Sequence, residues 1–355
     1  MTASNRARAG VLAAVVATAV VFAGVSAVRA DSTPELPSVA PAQLLASTLD
    51  ALAGSATISG TVSTRVDLGI PDLPAGLGGG SLGPISSIAG DQRYKIWHSA
   101  AGVRVAHLLP FDEQDAVANS TDAWFWDSRT MRALHLSVPT RTARTHATDA
   151  PTSMGDLLRV AGDALSAVRP YADVSVTGTA RVAGRPVYQL TLTPRSTLTR
   201  VGRIVVGIDS ATRLPLRFQV FARGATEPAL ESSFTTVSLG SIPSSMFVFA
   251  PPPGAKVRQV DPATLRGAPW IRSAEGIGTA PLGVPAVLEV RTFGDGFDLR
   301  WALRLSSSPP PDVAAFLPYA GPLMSAAVVD RDGATWVLAG FVDLPTLEHD
   351  AGRLP

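Results

Sequence analysis

Side chains able to do covalent or metal chemistry are few in this chain, and their surroundings do not suit them to it. Gly79-Gly80-Ser81-Leu82-Gly83 has the Gly-x-Ser-x-Gly spacing of a nucleophile elbow. That chemistry needs the serine on a sharp strand-to-helix turn, with an acid and a histidine to follow. Here the serine lies in a Gly- and Pro-rich loop with neither neighbour. Gly78 to Gly83 also fits Gly-x-Gly-x-x-Gly, but no strand pattern precedes it and no helical pattern follows, so the phosphate-cradling context is missing. The histidines His98, His107, His135, His146 and His349 show no metal-ligand spacing. Asp112, Glu113 and Asp115 are the nearest approach to paired carboxylates; clustered after Pro110, they read as a solvated turn. Asn119-Ser120-Thr121 reads as a turn as well. The expectation is a protein that is not an enzyme, with no catalytic residue, no cofactor and no metal.

Two other groups are more informative. Trp124, Phe125 and Trp126 stand in a strand-like run, so the two tryptophans point one way and the phenylalanine the other. They are either core packing or the lining of a ligand cavity. Arg129, Arg132, Arg141 and Arg144 bracket one connection, and guanidinium forks suit phosphate head groups. A solvated basic edge is the plainer reading.

The chain has 355 residues, no cysteine, and a formal net charge of +1. Without cysteine there are no disulfides, no thiolate sites and no lipid-modified cysteine, so the fold rests on its hydrophobic core. The near-balanced charge and a sequence pI of about 8.2 give no nucleic-acid footprint. Of the 30 basic residues only Lys95 and Lys256 are lysine. That bias, with the Ala, Gly and Pro load, predicts GC-rich coding of the actinobacterial kind. Arg6 and Arg8 precede an uncharged Ala- and Val-rich run from Gly10 to Val28, the n- and h-regions of an export signal. Val28-Arg29-Ala30 fits the cleavage rule and would leave Asp31 first; Val25-Ser26-Ala27 is a second exit. Retention as an anchor is the alternative, since such a run reaches roughly the thickness of a bilayer core. Either way the rest of the chain is expected outside the cytoplasm, in the envelope or secreted.

After Pro41, Leu44, Leu45, Leu49 and Leu52 form one helical face that Gly54 ends. The period then changes to two, with strands expected over 58–68, 92–98, 103–109, 122–127 and 132–138. Between the first two lies a loop, 69–90, rich in Gly and Pro yet apolar. Its Leu73, Leu77, Leu82 and Ile85 could form a flap over a cavity mouth, touch a membrane or partner, or fold back on the core. A second helix is expected from Ser153 to Val168, on the spacing of Met154, Leu157, Leu158, Ala161 and Leu165. Further strands follow over 174–182, 186–193, 203–209, 214–222 and 229–239. In the fourth of these Leu214, Leu216, Phe218 and Val220 oppose Arg213, Arg217, Gln219 and Arg223. Beyond Pro251-Pro252-Pro253-Gly254 an irregular stretch, 258–283, leads to strands over 287–293, 298–305, 323–330 and 335–342. An Asp332-Gly333 turn joins the last two.

Three segments, in order and at consistent spacing, resemble the LolA-like superfamily. That superfamily contains periplasmic lipoprotein carriers, LppX-type lipid-binding proteins and the N-terminal domain of RseB-type regulators. The segments are Ala118 to Asp127 with its Trp124-Phe125-Trp126 strand, Tyr188 to Arg195, and Phe247 to Val257 with its Pro251-Pro252-Pro253-Gly254. The resemblance implies an eleven-stranded, half-open barrel with helices as a lid over an apolar cavity. The carriers' basic residue and proline are absent at His98-Ser99-Ala100-Ala101-Gly102, which tells against lipoprotein hand-off by their mechanism.

The expected fold is thus α+β: a strongly curved antiparallel sheet forming a half-open barrel covered by helices, plus a smaller β-rich C-terminal region. The expected organisation is a signal peptide or anchor over 1–30, a lipid-binding domain over 31–257 and the C-terminal region over 261–355. The candidate lining is Trp97, Trp124, Trp126, Leu216, Phe218 and Val220, and the expected ligand a lipid or lipoprotein acyl chain. The alternative is an RseB-like envelope sensor that binds the outer domain of an anti-sigma factor or another membrane protein.

Overall fold

The computed structural model describes residues 33–53, 56–67, 90–109, 111–137, 168–260, 287–309, 311–315 and 317–355. The expected export signal, second helix and apolar loop with Leu73, Leu77, Leu82 and Ile85 lie outside these residues. Among the described residues no helix is long and apolar enough to cross a membrane.

Helix α1 (Pro41–Ala53) begins with proline in its first turn, where no amide hydrogen is needed. Its Leu44 is fully buried against Tyr188, Leu190 and Ile208, worth roughly 1.5 to 3 kcal/mol for such a side chain. Eleven antiparallel strands follow: β1 (Ile58–Val66), β2 (Gly90–Ser99), β3 (Gly102–Leu108), β4 (Glu113–Ala118), β5 (Asp122–Asp127), β6 (Arg132–Ser137), β7 (Ala172–Val182), β8 (Arg185–Pro194), β9 (Val201–Asp209), β10 (Pro215–Ala222) and β11 (Leu230–Ser238). A twelfth, β12 (Lys256–Val260), joins β6 in parallel. The sheet order is β12-β6-β5-β4-β3-β2-β1-β11-β10-β9-β8-β7, so β12 and β7 are its free ends and the curved sheet is not closed into a barrel.

β1 and β11 join the two halves of the sheet, and a register shift falls between Thr61 and Val62. Gly60 sits there because nothing larger fits: a Cβ would lie 2.0 Å from the Thr236 carbonyl oxygen.

β4 corrects the sequence reading. Asp112 to Asp115 was expected as a solvated turn, yet Glu113 to Ala118 is a central strand and Asp115 is 2% exposed. Glu-Gln-Asp-Ala-Val-Ala has poor strand propensity, and the cross-strand partner decides instead. Arg104 on β3 donates through Nε to Asp115 Oδ1 at 3.3 Å and through Nη2 to Oδ2. A charge can be buried there only because its counter-charge arrives from the neighbouring strand.

A second sheet has the order β13-β14-β17-β16-β15, from β13 (Val287–Phe293), β14 (Arg300–Leu305), β15 (Tyr319–Ala320), β16 (Ser325–Arg331) and β17 (Ala334–Gly340). Asp332 and Gly333 turn β16 into β17 with φ of 47° and 77°, the hairpin geometry expected for that pair. The short α2 (Pro311–Ala314) precedes β15. Helix α3 (Leu344–Ala351), absent from the sequence reading, is capped by Asp343, which accepts the Thr346 N–H at 3.1 Å. It covers one face of this sheet, burying Leu347 beside Trp336 and Leu338. Beneath it Arg300 Nε and Asp350 Oδ2 pair at 2.5 Å.

The two sheets are joined. Thr199 and Val342 form an antiparallel bridge, the Arg200 N–H donates to Phe341 O at 2.6 Å, and Thr199 Oγ1 donates to the same carbonyl at 3.0 Å. Phe297, Leu323 and Phe341 pack with Val201, Ile204 and Ala222 of the large sheet.

Candidate functional site

Cross-strand partners share a face of a sheet, so the ladder pairings sort the large sheet's side chains. One face holds Leu190, Val206, Phe218, Ser232, Thr64 and Gln92 as successive neighbours, and Tyr94, two residues on from Gln92, continues it to His107, Gln114 and Asp127; α1 packs on it. Val220 shares this face, and Leu216 joins its core through Phe234 and Ile96. The other face carries Trp97, Arg104, Val117, Trp124 and His135. The structure therefore brings Leu216, Phe218 and Val220 to the helix side and places Trp97, Trp124 and Trp126 on the opposite side.

The tryptophans support the sheet from behind. Phe249, in the segment between β11 and β12, lies 5.5 Å from Trp124 and 5.9 Å from Trp126, ring centre to ring centre. Trp124 stacks on His135 at 3.9 Å, and the Arg104 guanidinium stands 5.7 Å over Trp97. His135 Nε2 is 2.6 Å from Asp122 Oδ1 and Nδ1 is 2.9 Å from Gln259 Oε1, which ties β12 to β6 and β5. Hydrogen bonds from Thr121 and His135 hold the Asp122 carboxyl below its usual range. Burial, then the Asp115 carboxylate, push Glu113 up. This network staples strands together: its polar groups face one another, and Trp126 is 8% exposed.

On the helix side, cover by the described residues thins across the sheet. One cross-strand row reads Ile96, Val105, Ala116, Phe125, Leu134. Ile96 is 2% exposed, Val105 and Leu134 are half-buried, and Ala116 and Phe125 are exposed, Phe125 at 43%. The next row, Val103, Ala118, Ala123, Leu136 and Val260, is also apolar and half-buried. The row on the other side is polar: Tyr94, His107, Gln114, Asp127, Arg132. There His107 Nε2 lies 2.7 Å from Gln92 Oε1, and Gln114 donates to Asp127 Oδ2 at 3.1 Å. Burial lowers the His107 pKa, which favours neutral imidazole. An apolar strip bounded on one side by hydrogen-bonding groups matches the two ends of an amphiphile. The alternation of every strand in these rows but β4 was legible in sequence, but which face keeps exposed apolar side chains was not, because it depends on what packs over it.

Among the described residues there is no group of three or more His, Asp or Glu able to hold a metal ion. A cleft of about 280 Å³ at the sheet junction is lined by Thr199, Arg200, Arg223, Pro322 and Asp343. Its arginines are already engaged, Arg223 with the Ser196 carbonyl at 2.7 Å and Arg200 with Pro322 O at 3.1 Å. These contacts serve the junction.

The fold is an open curved sheet with a partly exposed apolar strip on one face. A family model described as the MucB/RseB N-terminal domain matches residues 133–252, and it supports a LolA-like superfamily fold. Among solved structures, the chain is similar to MucB in its complex with MucA(peri), at 16% identity over 87% of this chain and 96% of that one, with a TM-score of 0.45. It is also similar to the Pseudomonas aeruginosa MucA/MucB complex, at 16% identity over 86% and 96%, TM-score 0.43. A LolA superfamily protein from Nitrosomonas europaea is 12% identical over 60% of this chain and 99% of that one, TM-score 0.23. No curated protein matches the chain.

Proposed function

We propose that this chain is a non-enzymatic, extracytoplasmic binding protein that takes the acyl chain of a lipid or lipidated partner on the partly exposed apolar strip of β3 to β6. The observation that carries this is Phe125, an aromatic side chain 43% exposed in the middle of an apolar row whose far end, Ile96, is buried. Water leaves such a surface favourably, at roughly 25 cal/mol per Å². The acyl chain lies along the Phe125 and Ala123 rows, with its polar end at His107, Gln114 and Asp127. Leu216, Phe218 and Val220 form the deeper wall, and Trp97, Trp124 and Trp126 hold the sheet from behind. The test is mass spectrometry of organic extracts from natively purified protein. A near-stoichiometric long-chain lipid in wild type, depleted in Phe125→Glu, supports the proposal; a folded Phe125→Glu protein with undiminished lipid overturns it.

A second reading is an RseB-like sensor whose partner is the outer domain of an anti-sigma factor or another membrane protein. Two observations favour it: the MucB/RseB match, and a second sheet that a simple carrier does not need. On the face of that sheet opposite α3, Leu288 and Val290 are 56% and 46% exposed. Co-purification of a membrane partner with the full chain, lost on removing Asp261 to Pro355, supports this reading; retention by the shortened chain sinks it.

A further inference from the structure

One end of the large sheet combines a fully exposed aromatic with three exposed cations. The β3–β4 turn carries Phe111, 99% exposed, and the β5–β6 turn carries Met131, 38% exposed. The turns are neighbours: the Glu113 N–H donates to Ser128 Oγ at 2.8 Å and the Ser128 N–H to Glu113 O at 3.1 Å. The start of β12 adjoins them, since the Lys256 N–H donates to Met131 O at 2.8 Å. Arg129, Arg132 and Lys256 are all exposed here, and among the described residues none makes a salt bridge or a side-chain hydrogen bond. The nearby carboxylates are mostly engaged. Glu113 lies 3.7 Å from Arg104, while Asp127 accepts the Thr130 N–H at 2.9 Å and Gln114 and stands opposite Arg132 across the ladder, so Asp112 and Asp127 are the carboxylates that share this end with the three cations.

We propose that this rim docks on a bilayer surface containing anionic lipids, with Phe111 and Met131 entering the interface and Arg129, Arg132 and Lys256 meeting the phosphates. The physical case is twofold. A lone phenylalanine held clear of its own protein on a tight turn gains by leaving water at an interface, and the three exposed cations beside it can meet anionic head groups. A protein partner would need a shaped, hydrogen-bonding patch, whereas this rim offers side-chain tips and charge. The polar row His107, Gln114, Asp127 opens toward the same end, so docking would bring the strip's polar edge to the membrane. Docking of the rim does not depend on what the strip binds.

The absence of cysteine permits a site-specific test on the full chain. Thr130→Cys places a fluorescent label on the rim, and Ser120→Cys, in the β4–β5 turn, places one at the opposite end of the sheet. The probes are vesicles of phosphatidylcholine alone or with about 30 mol% phosphatidylglycerol. The expected result is a blue-shifted, brighter rim label only with anionic vesicles, fading at high salt, and an unresponsive Ser120 label. Replacing Arg129, Arg132 and Lys256 with glutamine should weaken the response on the order of 100-fold, at about fivefold per cation. Phe111→Ser should weaken it about tenfold or more. A silent rim label, equal response at both ends, or unchanged binding in the folded variants overturns the proposal. Lipid recovered with the purified protein is a separate readout, so failure here leaves the acyl-chain reading standing.

Discussion

Phe125→Ser separates a binding surface from a structural core on neighbouring residues of one strand. A phenylalanine presents about 200 Å², of which the exposed 43% is roughly 90 Å² available to a ligand. At about 25 cal/mol per Å² that area is worth about 2 kcal/mol, or roughly 30-fold in affinity. The cost to folding should be small, because the side chain gives up little burial. Trp126 next door is 8% exposed and packs under Phe249, so Trp126→Ala should lose about 3 to 5 kcal/mol of stability. Titration with a fluorescent fatty acid, alongside denaturant unfolding, measures both quantities. A Phe125→Ser protein that binds the probe as tightly as wild type refutes the assignment of the helix-side face, whatever Trp126→Ala does.

Asp209 should make stability fall in acid. Its carboxylate is wholly buried and accepts Arg185 Nε and Nη2, each at 2.8 Å, and the Thr212 N–H at 2.8 Å. Burial alone would raise its pKa, but these donors bring it below the ordinary 3.8. A carboxyl lowered on folding contributes its full stability above the unfolded value and loses it as pH falls through the folded one. Asp209→Ala should cost about 3 kcal/mol at neutral pH, since Arg185 is partly exposed and can rehydrate, and should flatten the fall below about pH 4. A variant that unfolds in acid as steeply as wild type contradicts this. Asp115→Ala should cost about 2 to 4 kcal/mol by stranding Arg104 on a half-buried face, with Asp115→Asn milder; equal losses measured in urea would count against the ion pair. Gly60→Ala sets a Cβ against the Thr236 carbonyl and should cost about 3 to 5 kcal/mol, read as lost amide protection along β1 and β11. Protection equal to wild type would show that the strands can part cheaply.

Period-two alternation located most strands to within a few residues, and the Asp332-Gly333 pair marked its hairpin, because these are properties of consecutive residues. The motif spacing around Trp124, Tyr188 and Phe247 pointed to the superfamily for the same reason. β4 was illegible because its stability comes from Arg104, one strand away, and not from its own residues. Helix α3 was missed since eight residues with one capping aspartate give a weak local signal.

The candidate site divides in the same way. Sequence alone determined that Trp124 and Trp126 point away from Phe125, since alternation is fixed by the backbone. Only the tertiary structure decided which side is covered. Phe249 returns from beyond β11 to pack on the tryptophan side, while among the described residues α1 reaches only part of the other, where Phe125 is 43% exposed. Which face a protein leaves open depends on segments distant in the chain, and pattern within a strand carries no record of them.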